Sequence, residues 1–198
     1  MKDRFIFYYG VMGSAKTAQA LIHRFKLLEN GDGVLLLKPA TDTRDGCAII
    51  KSRIGLQASA NLLGPHDSII DTVEFAPESY DAIIVDEAQF LTPDQVYQLR
   101  QLVDASMCQV FCYGLMTDFR THLFPGSARL VELADELRQI PSYCKCGRLA
   151  TVNARLDEGG KIVKEGDQIK IGGNESYIAM CHDCWEQERV FSKITPSA

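Results

Sequence analysis

Two kinds of apolar spacing alternate along the first two-thirds of the chain. Short apolar runs without polar interruption occur at Phe5-Ile6-Phe7-Tyr8-Tyr9, Val34-Leu35-Leu36-Leu37 and Ala82-Ile83-Ile84-Val85, and Gln109-Val110-Phe111-Cys112-Tyr113 continues the series. Runs of this kind predict strands buried on both faces. Between the first two, Ala18, Leu21, Ile22, Phe25 and Leu28 recur at helical spacing. They predict a helix from about Lys16 to Glu29 with one core-facing stripe, stopped by Asn30-Gly31. Thr92-Pro93 fits an N-cap followed by proline at the first helical position, opening a helix through about Ala105. Strands separated by helices indicate an α/β fold: a parallel sheet flanked by helices on both faces.

The pattern changes near Ile140-Pro141. Beyond it come cysteine pairs, two glycine pairs and alternating segments. The expected organisation is therefore an α/β domain over 1–140 and a small domain over 141–198. The second has little apolar core and needs a metal to fold.

Composition narrows the classes. Of 198 residues, 46% are hydrophobic and 24% charged, a globular balance. The opening MKDRFIFYYG is too short an apolar run for a signal peptide, and no stretch approaches the ~20 apolar residues of a membrane span. A cytoplasmic protein with no membrane partner is expected. The net charge of −5 argues against a nucleic-acid partner, since such affinity comes from neutralising phosphates.

Seven cysteines in a reducing compartment suggest metal rather than disulfides. Cys144-Lys-Cys146 and Cys181-His-Asp-Cys184 supply four thiolates, enough to close a tetrahedral structural zinc site with no open position. The first pair is spaced more tightly than usual, which leaves His182 as a substitute ligand. Zinc binding of this kind supplies ~10–16 kcal/mol of folding energy. Cys108 and Cys112 read as buried thiols and Cys47 as incidental. His23, His66 and His122 have no partner spacing that suggests chemistry.

Gly10-Val11-Met12-Gly13-Ser14-Ala15-Lys16-Thr17 lies between a predicted strand and a predicted helix, the context of a P-loop. Its backbone N–H groups would surround phosphates at the helix N-terminus. Lys16 would reach the β- and γ-phosphates, and the Thr17 hydroxyl would bind Mg²⁺ with ATP. Ala15 replaces the second glycine of the pattern. An alanine is admissible there only if φ is negative and the methyl points away from phosphate. Asp86-Glu87 follows a buried strand, at the edge where doubly wound sheets bind ligands. Asp86 suits Mg²⁺, and Glu87 suits a general base. An ATPase would use the same pair to orient water, and a zinc-ribbon nucleic-acid binder is a third reading.

Asp86-Glu87-Ala88-Gln89-Phe90, Tyr113-Gly-Leu115-Met-Thr-Asp-Phe119-Arg120, Ile171-Gly172-Gly173-Asn-Glu-Ser-Tyr177 and Asp42-Thr-Arg44 resemble the type II thymidine kinases in order and spacing. The resemblance runs from about Phe5 to Trp185. It implies a RecA-like P-loop domain with a zinc-binding lasso, and transfer of the γ-phosphate of ATP to the 5′-hydroxyl of thymidine, or of deoxyuridine. On it, Glu87 is the base, Asp42 and Asp86 lie near Mg²⁺, and Arg44 lies near the phosphates. Gln89 lies near the sugar or metal. Met12, Leu115, Phe119, Phe124, Ile171, Gly172 and Tyr177 hold the thymine, with backbone groups around Ile171 and Gly172 on the pyrimidine edge. Asn153 stands where many members carry threonine near the pyrimidine 5-methyl, a change expected to alter thymidine/deoxyuridine discrimination. The resemblance also implies a homotetramer and feedback inhibition by thymidine triphosphate.

Overall fold

A computed structural model describes residues 4–40, 49–74, 79–168 and 176–190. By contact density the chain forms two units. One comprises 1–10, 15–116 and 123–140; the other comprises 11–14, 117–122 and 141–198. The second therefore takes in two short segments that lie far from the tail in sequence.

The first unit is built on six strands: β1 (Phe5–Tyr9), β2 (Val34–Pro39), β5 (Asn61–Leu63), β6 (Ala82–Val85), β7 (Gln109–Gly114) and β8 (Glu136–Gln139). They pair in the order β5-β2-β6-β7-β1-β8, and every pairing is parallel. A separate hairpin joins β3 (Ile49–Lys51) to β4 (Gln57–Ser59). Helices α1 (Lys16–Glu29), α2 (Ile69–Glu74), α3 (Pro93–Asp104) and α4 (Pro125–Leu133) complete the unit.

The uninterrupted apolar strands are explained by burial on both sides. Phe5, Phe7, Leu35, Leu37, Ile83, Val85 and Val110 pack with Ile69 of α2, Val96 and Leu99 of α3 and Leu130 of α4. The alternate residues Ile6, Leu36, Ile84, Phe111 and Tyr113 pack with Ala20, Leu21 and Leu27 of α1. Because all strands run parallel, the carboxyl ends of β1 and β6 open on the same sheet edge, where ligands bind in such folds.

Helix ends follow local chemistry. Thr92 caps α3 in a reciprocal capping box with Gln95. At the end of α1, Asp32 N–H donates to Leu27 O and Gly31 N–H to Leu28 O, with Gly31 at φ +89°. That is a Schellman stop, which the left-handed glycine permits. The face of α1 corrects the sequence reading. Ala18 and Leu21 are buried, but Ile22, Phe25 and Leu28 are 43%, 62% and 41% exposed. Ala20 and Leu27 bury instead, because the sheet contacts a stripe rotated from the one that the large residues outline.

The second unit has an antiparallel sheet, β10 (Ile162–Val163), β9 (Val152–Leu156) and β11 (Tyr177–Met180), followed by α5 (His182–Glu186). Its core is Val152, Ala154, Met180, Trp185 and the thiols of Cys144, Cys181 and Cys184.

Candidate active site

The first unit carries a cationic and an acidic group at the same sheet edge. Lys16 opens α1, is 7% exposed, and its ammonium donates to Gly10 O at 3.1 Å. Burial holds its pKa below the ordinary value, against the opposing pull of Glu87 and Asp86. Asp86, just past β6, is 4% exposed. Burial, and then repulsion from Glu87, pushes its carboxyl up to about 7, while a hydrogen bond from the Thr17 side chain acts in the other direction.

Glu87 has φ +54° and ψ +38°, a left-handed backbone that glutamate rarely adopts. Gln89 Nε2 donates to Glu87 Oε2 at 2.6 Å. The same amide accepts the Leu115 N–H on Oε1 at 3.0 Å, so its orientation is fixed and it can only donate to the carboxylate. Gly114 makes room for this: a Cβ there would lie 2.8 Å from Gln89 Oε1. Ser127 Oγ donates to Leu115 O at 2.7 Å, and Phe124 meets Phe90 edge-on at 5.8 Å.

Ala15 corrects a further expectation. Its φ is +64° and its ψ is 25°, so alanine occupies the left-handed conformation for which the motif uses glycine. The residue is exposed, and the backbone strain remains.

In the second unit, the turn Val11–Ser14 closes with Ser14 N–H on Val11 O at 3.2 Å. Gly13 there has φ +81°. The Ser14 hydroxyl is buried and meets no hydrogen-bond partner among the described residues. Asn153 of β9 is 3% exposed; its Oδ1 accepts Met12 N–H at 2.6 Å and its Nδ2 donates to Thr117 O at 3.0 Å. Phe119 is 1% exposed and lies under the Arg155 guanidinium, 3.6 Å from the ring centroid. Arg155 also donates to Asp167 O at 3.1 Å and Glu165 O at 3.0 Å. Tyr177 begins β11, half-buried.

The four cysteine sulfurs of 144, 146, 181 and 184 all lie within 4.8 Å of one another, and those of Cys146 and Cys181 are 3.6 Å apart. Sulfurs about 2.3 Å from a tetrahedral centre stand about 3.8 Å apart, so the cluster has the dimensions to hold a metal ion. His182 is not part of it; its ring lies 5.5 Å from that of Trp185. Cys108 and Cys112 are buried in the other unit.

The thymidine kinase family model matches residues 4–185. The chain belongs to that family. A thymidine kinase of Legionella pneumophila (strain Lens) is 44% identical over 178 residues, spanning 88% of this chain and 85% of its own. That of Enterobacteria phage T4 is 42% identical over 184 residues, 92% of this chain and 95% of its own. That of Ruegeria pomeroyi is 41% identical over 185 residues, 91% and 92% of the two chains. Among solved structures, a Pif1 helicase from Candida albicans aligns at 10% identity and a TM-score of 0.38, covering 69% of this chain and 36% of its own. A likeness that weak carries no argument.

Of the residues that the family resemblance singles out, Asp42, Arg44, Ile171 and Gly172 lie outside the described residues, as does Cys47. Lys16, Thr17, Asp86, Glu87, Gln89, Leu115 and Phe124 lie in the first unit. Met12, Phe119, Tyr177 and the four clustered cysteines lie in the second. Sequence reasoning missed Arg155 and did not foresee the two main-chain hydrogen bonds of Asn153. Both are polar positions two apart on one strand whose alternate residues, Val152 and Ala154, are core. That alternation was the signal that both side chains serve one face.

Proposed function

We infer that the chain transfers the γ-phosphate of ATP to the 5′-hydroxyl of thymidine, giving thymidine monophosphate for DNA synthesis by salvage, and that deoxyuridine is also accepted. The observation that carries this reading is Glu87: a carboxylate at the carboxyl end of a buried parallel strand, strained in its backbone, with one oxygen held by Gln89. Strain of that kind persists where the surrounding structure over-determines it, and it clusters at active sites. Glu87 accepts the proton of the 5′-hydroxyl as the new O–P bond forms, and the electron pair of the breaking O–P bond leaves on ADP.

The loop residues fit a polyphosphate. The buried Ser14 hydroxyl without a partner suits an anionic acceptor, and the Lys16 ammonium is desolvated, which strengthens its pull on phosphate charge. Gly10, Val11, Met12, Gly13, Ser14, Ala15, Lys16 and Thr17 form this cradle, with Arg44 added from the family. The oxygen donors Thr17 and Asp86, already joined by a hydrogen bond in a buried setting, suit Mg²⁺, with Asp42 as a further ligand. Mg²⁺ would neutralise charge on the β- and γ-phosphates. On the family resemblance, Leu115, Phe119, Phe124, Tyr177 and Met12 are the residues for the thymine, with backbone groups of Ile171 and Gly172 for its polar edge. Zinc holds Cys144, Cys146, Cys181 and Cys184 together and takes no part in the chemistry.

The exposed apolar row Ile22, Phe25 and Leu28 on α1 is a surface that self-association would cover, in keeping with a homotetramer. Inhibition by thymidine triphosphate and a cytoplasmic location follow from the family role. Among the described residues no helix is long and apolar enough to cross a membrane.

The test is ADP release from ATP with Mg²⁺, comparing thymidine, other deoxynucleosides and no acceptor. Thymidine-dependent release with formation of the 5′-monophosphate supports the kinase. Release without acceptor supports the ATPase and removes Glu87 as base for a hydroxyl.

A further inference from the structure

We propose that Asn153 is a positioning residue that holds the apex of the phosphate loop and the 117–122 loop in one register, so that nucleotide and nucleoside binding share one side chain. The proposal rests on the phosphotransferase reading above. Asn153 sits on β9 at 3% exposure. Its Oδ1 accepts the Met12 N–H at 2.6 Å and its Nδ2 donates to Thr117 O at 3.0 Å. Flipping the amide would set donor against donor and acceptor against acceptor, so the pairing is unambiguous. A hydroxyl side chain is too short to span both main chains, and a carboxylate has no donor for Thr117.

Each end of the bridge leads to rigid backbone. The Met12 N–H is engaged by Asn153, and this bond fixes the orientation of the peptide entering Gly13 and the Val11–Ser14 turn. On the other side, Asp118 locks its loop. Its carboxylate accepts Arg120 N–H at 2.8 Å and His122 N–H at 3.0 Å, and it pairs with the Arg120 guanidinium at 2.9 Å. Its own N–H donates to His122 O at 2.8 Å. A shift at Thr117 therefore carries Phe119 with it. Arg155, two residues along β9, presses on the same ring, so β9 holds this loop at two points.

The test compares the zinc-loaded full chain with Asn153→Asp and Asn153→Leu, measuring KM for ATP and for thymidine, kcat, metal content and Tm. Asn153→Asp keeps the acceptor for Met12 and loses the donor to Thr117. Its KM for ATP stays within about twofold of the parent, while its KM for thymidine rises about tenfold at about pH 8, the size of one lost buried hydrogen bond. That rise shrinks as pH falls, because a protonated carboxyl regains a donor, and burial brings the protonation toward neutral pH. The charged groups on the elements that hold this side chain are Asp118 and Arg120, paired with each other, and Arg155 on β9 itself. Asn153→Leu raises both KM values about tenfold, with kcat less affected; if it does not fold, the same-volume aspartate variant carries the test. Parental KM values in Asn153→Asp at every pH, or a loss confined to Tm and kcat, would overturn the proposal. A parent chain that forms no thymidine monophosphate overturns the kinase reading and this inference with it. An active parent with an indifferent variant overturns the inference alone.

Discussion

Two residues pay a backbone cost at the candidate site, and the cost has different grounds. Ala15 and Glu87 both lie in the left-handed region, at φ +64° and +54°. At Ala15 the strain follows from the missing glycine of the loop. Ala15→Gly should relieve it and raise stability by about 1 kcal/mol, less a small gain in unfolded-chain entropy; urea unfolding at constant m reads the change. A stability unchanged or lowered would show that the loop is relaxed around alanine. At Glu87 the strained residue presents a carboxylate that Gln89 holds by one oxygen. Glu87→Gln should lower kcat by about 10² to 10⁴ with KM for ATP little changed, the loss of a general base; turnover near the parent's would remove it from that role. Motif chemistry made Lys16, Thr17, Asp86 and Glu87 legible as candidates in the sequence, because each candidacy follows from a few neighbouring residues. The Gln89 amide was legible only as a polar residue near the site. Its fixed orientation depends on Leu115, which is 26 residues away.

At the scale of elements, what was local was readable. The C-terminal end of α1 and the N-terminal end of α3 follow from caps, so these limits agreed with the sequence, whereas which stripe of α1 meets the sheet depends on a partner surface that periodicity does not contain. β8 was missed because Glu136–Gln139 is an edge strand with mostly exposed, polar residues, and it lacks the apolar run that marks its neighbours. The inner side of α1 also carries His23, whose Nδ1 pairs with the Tyr113 hydroxyl at 2.9 Å. Its ring packs on Phe111 and Tyr8. Burial, then Lys26 and Arg138, holds its pKa below the ordinary 6.5. The folded state therefore binds a proton less readily than the unfolded chain. This contribution to stability is present above the ordinary histidine pKa and is lost as pH falls from there through the depressed value. His23→Gln should flatten the acid side of a Tm-versus-pH profile. A profile as steep as the parent's would place the titration elsewhere.

Taken as a whole, the molecule divides its stabilisation between two different solutions. The first unit has a sheet with apolar packing on both faces, and its helix α3 carries a capping box. The second has a cluster in which three of the four grouped cysteines are themselves core residues, beside Val152, Ala154, Met180 and Trp185. So few apolar side chains suit a unit that a metal at the four sulfurs could stabilise, since a structural zinc supplies ~10–16 kcal/mol. The cysteine spacing made the cluster legible; that residues 11–14 and 117–122 join the same unit was not, since both lie within segments that read as α/β. The chain's one tryptophan is Trp185, next to the cluster, so its fluorescence reports the second unit alone. Stripping the metal with a strong chelator, or Cys181→Ser, should shift Trp185 emission to the red and abolish phosphate transfer. Most far-UV helical signal should remain, because α1, α3 and α4 belong to the first unit. Unchanged emission after stoichiometric metal loss would mean that Val152, Met180 and Trp185 hold this unit without an ion.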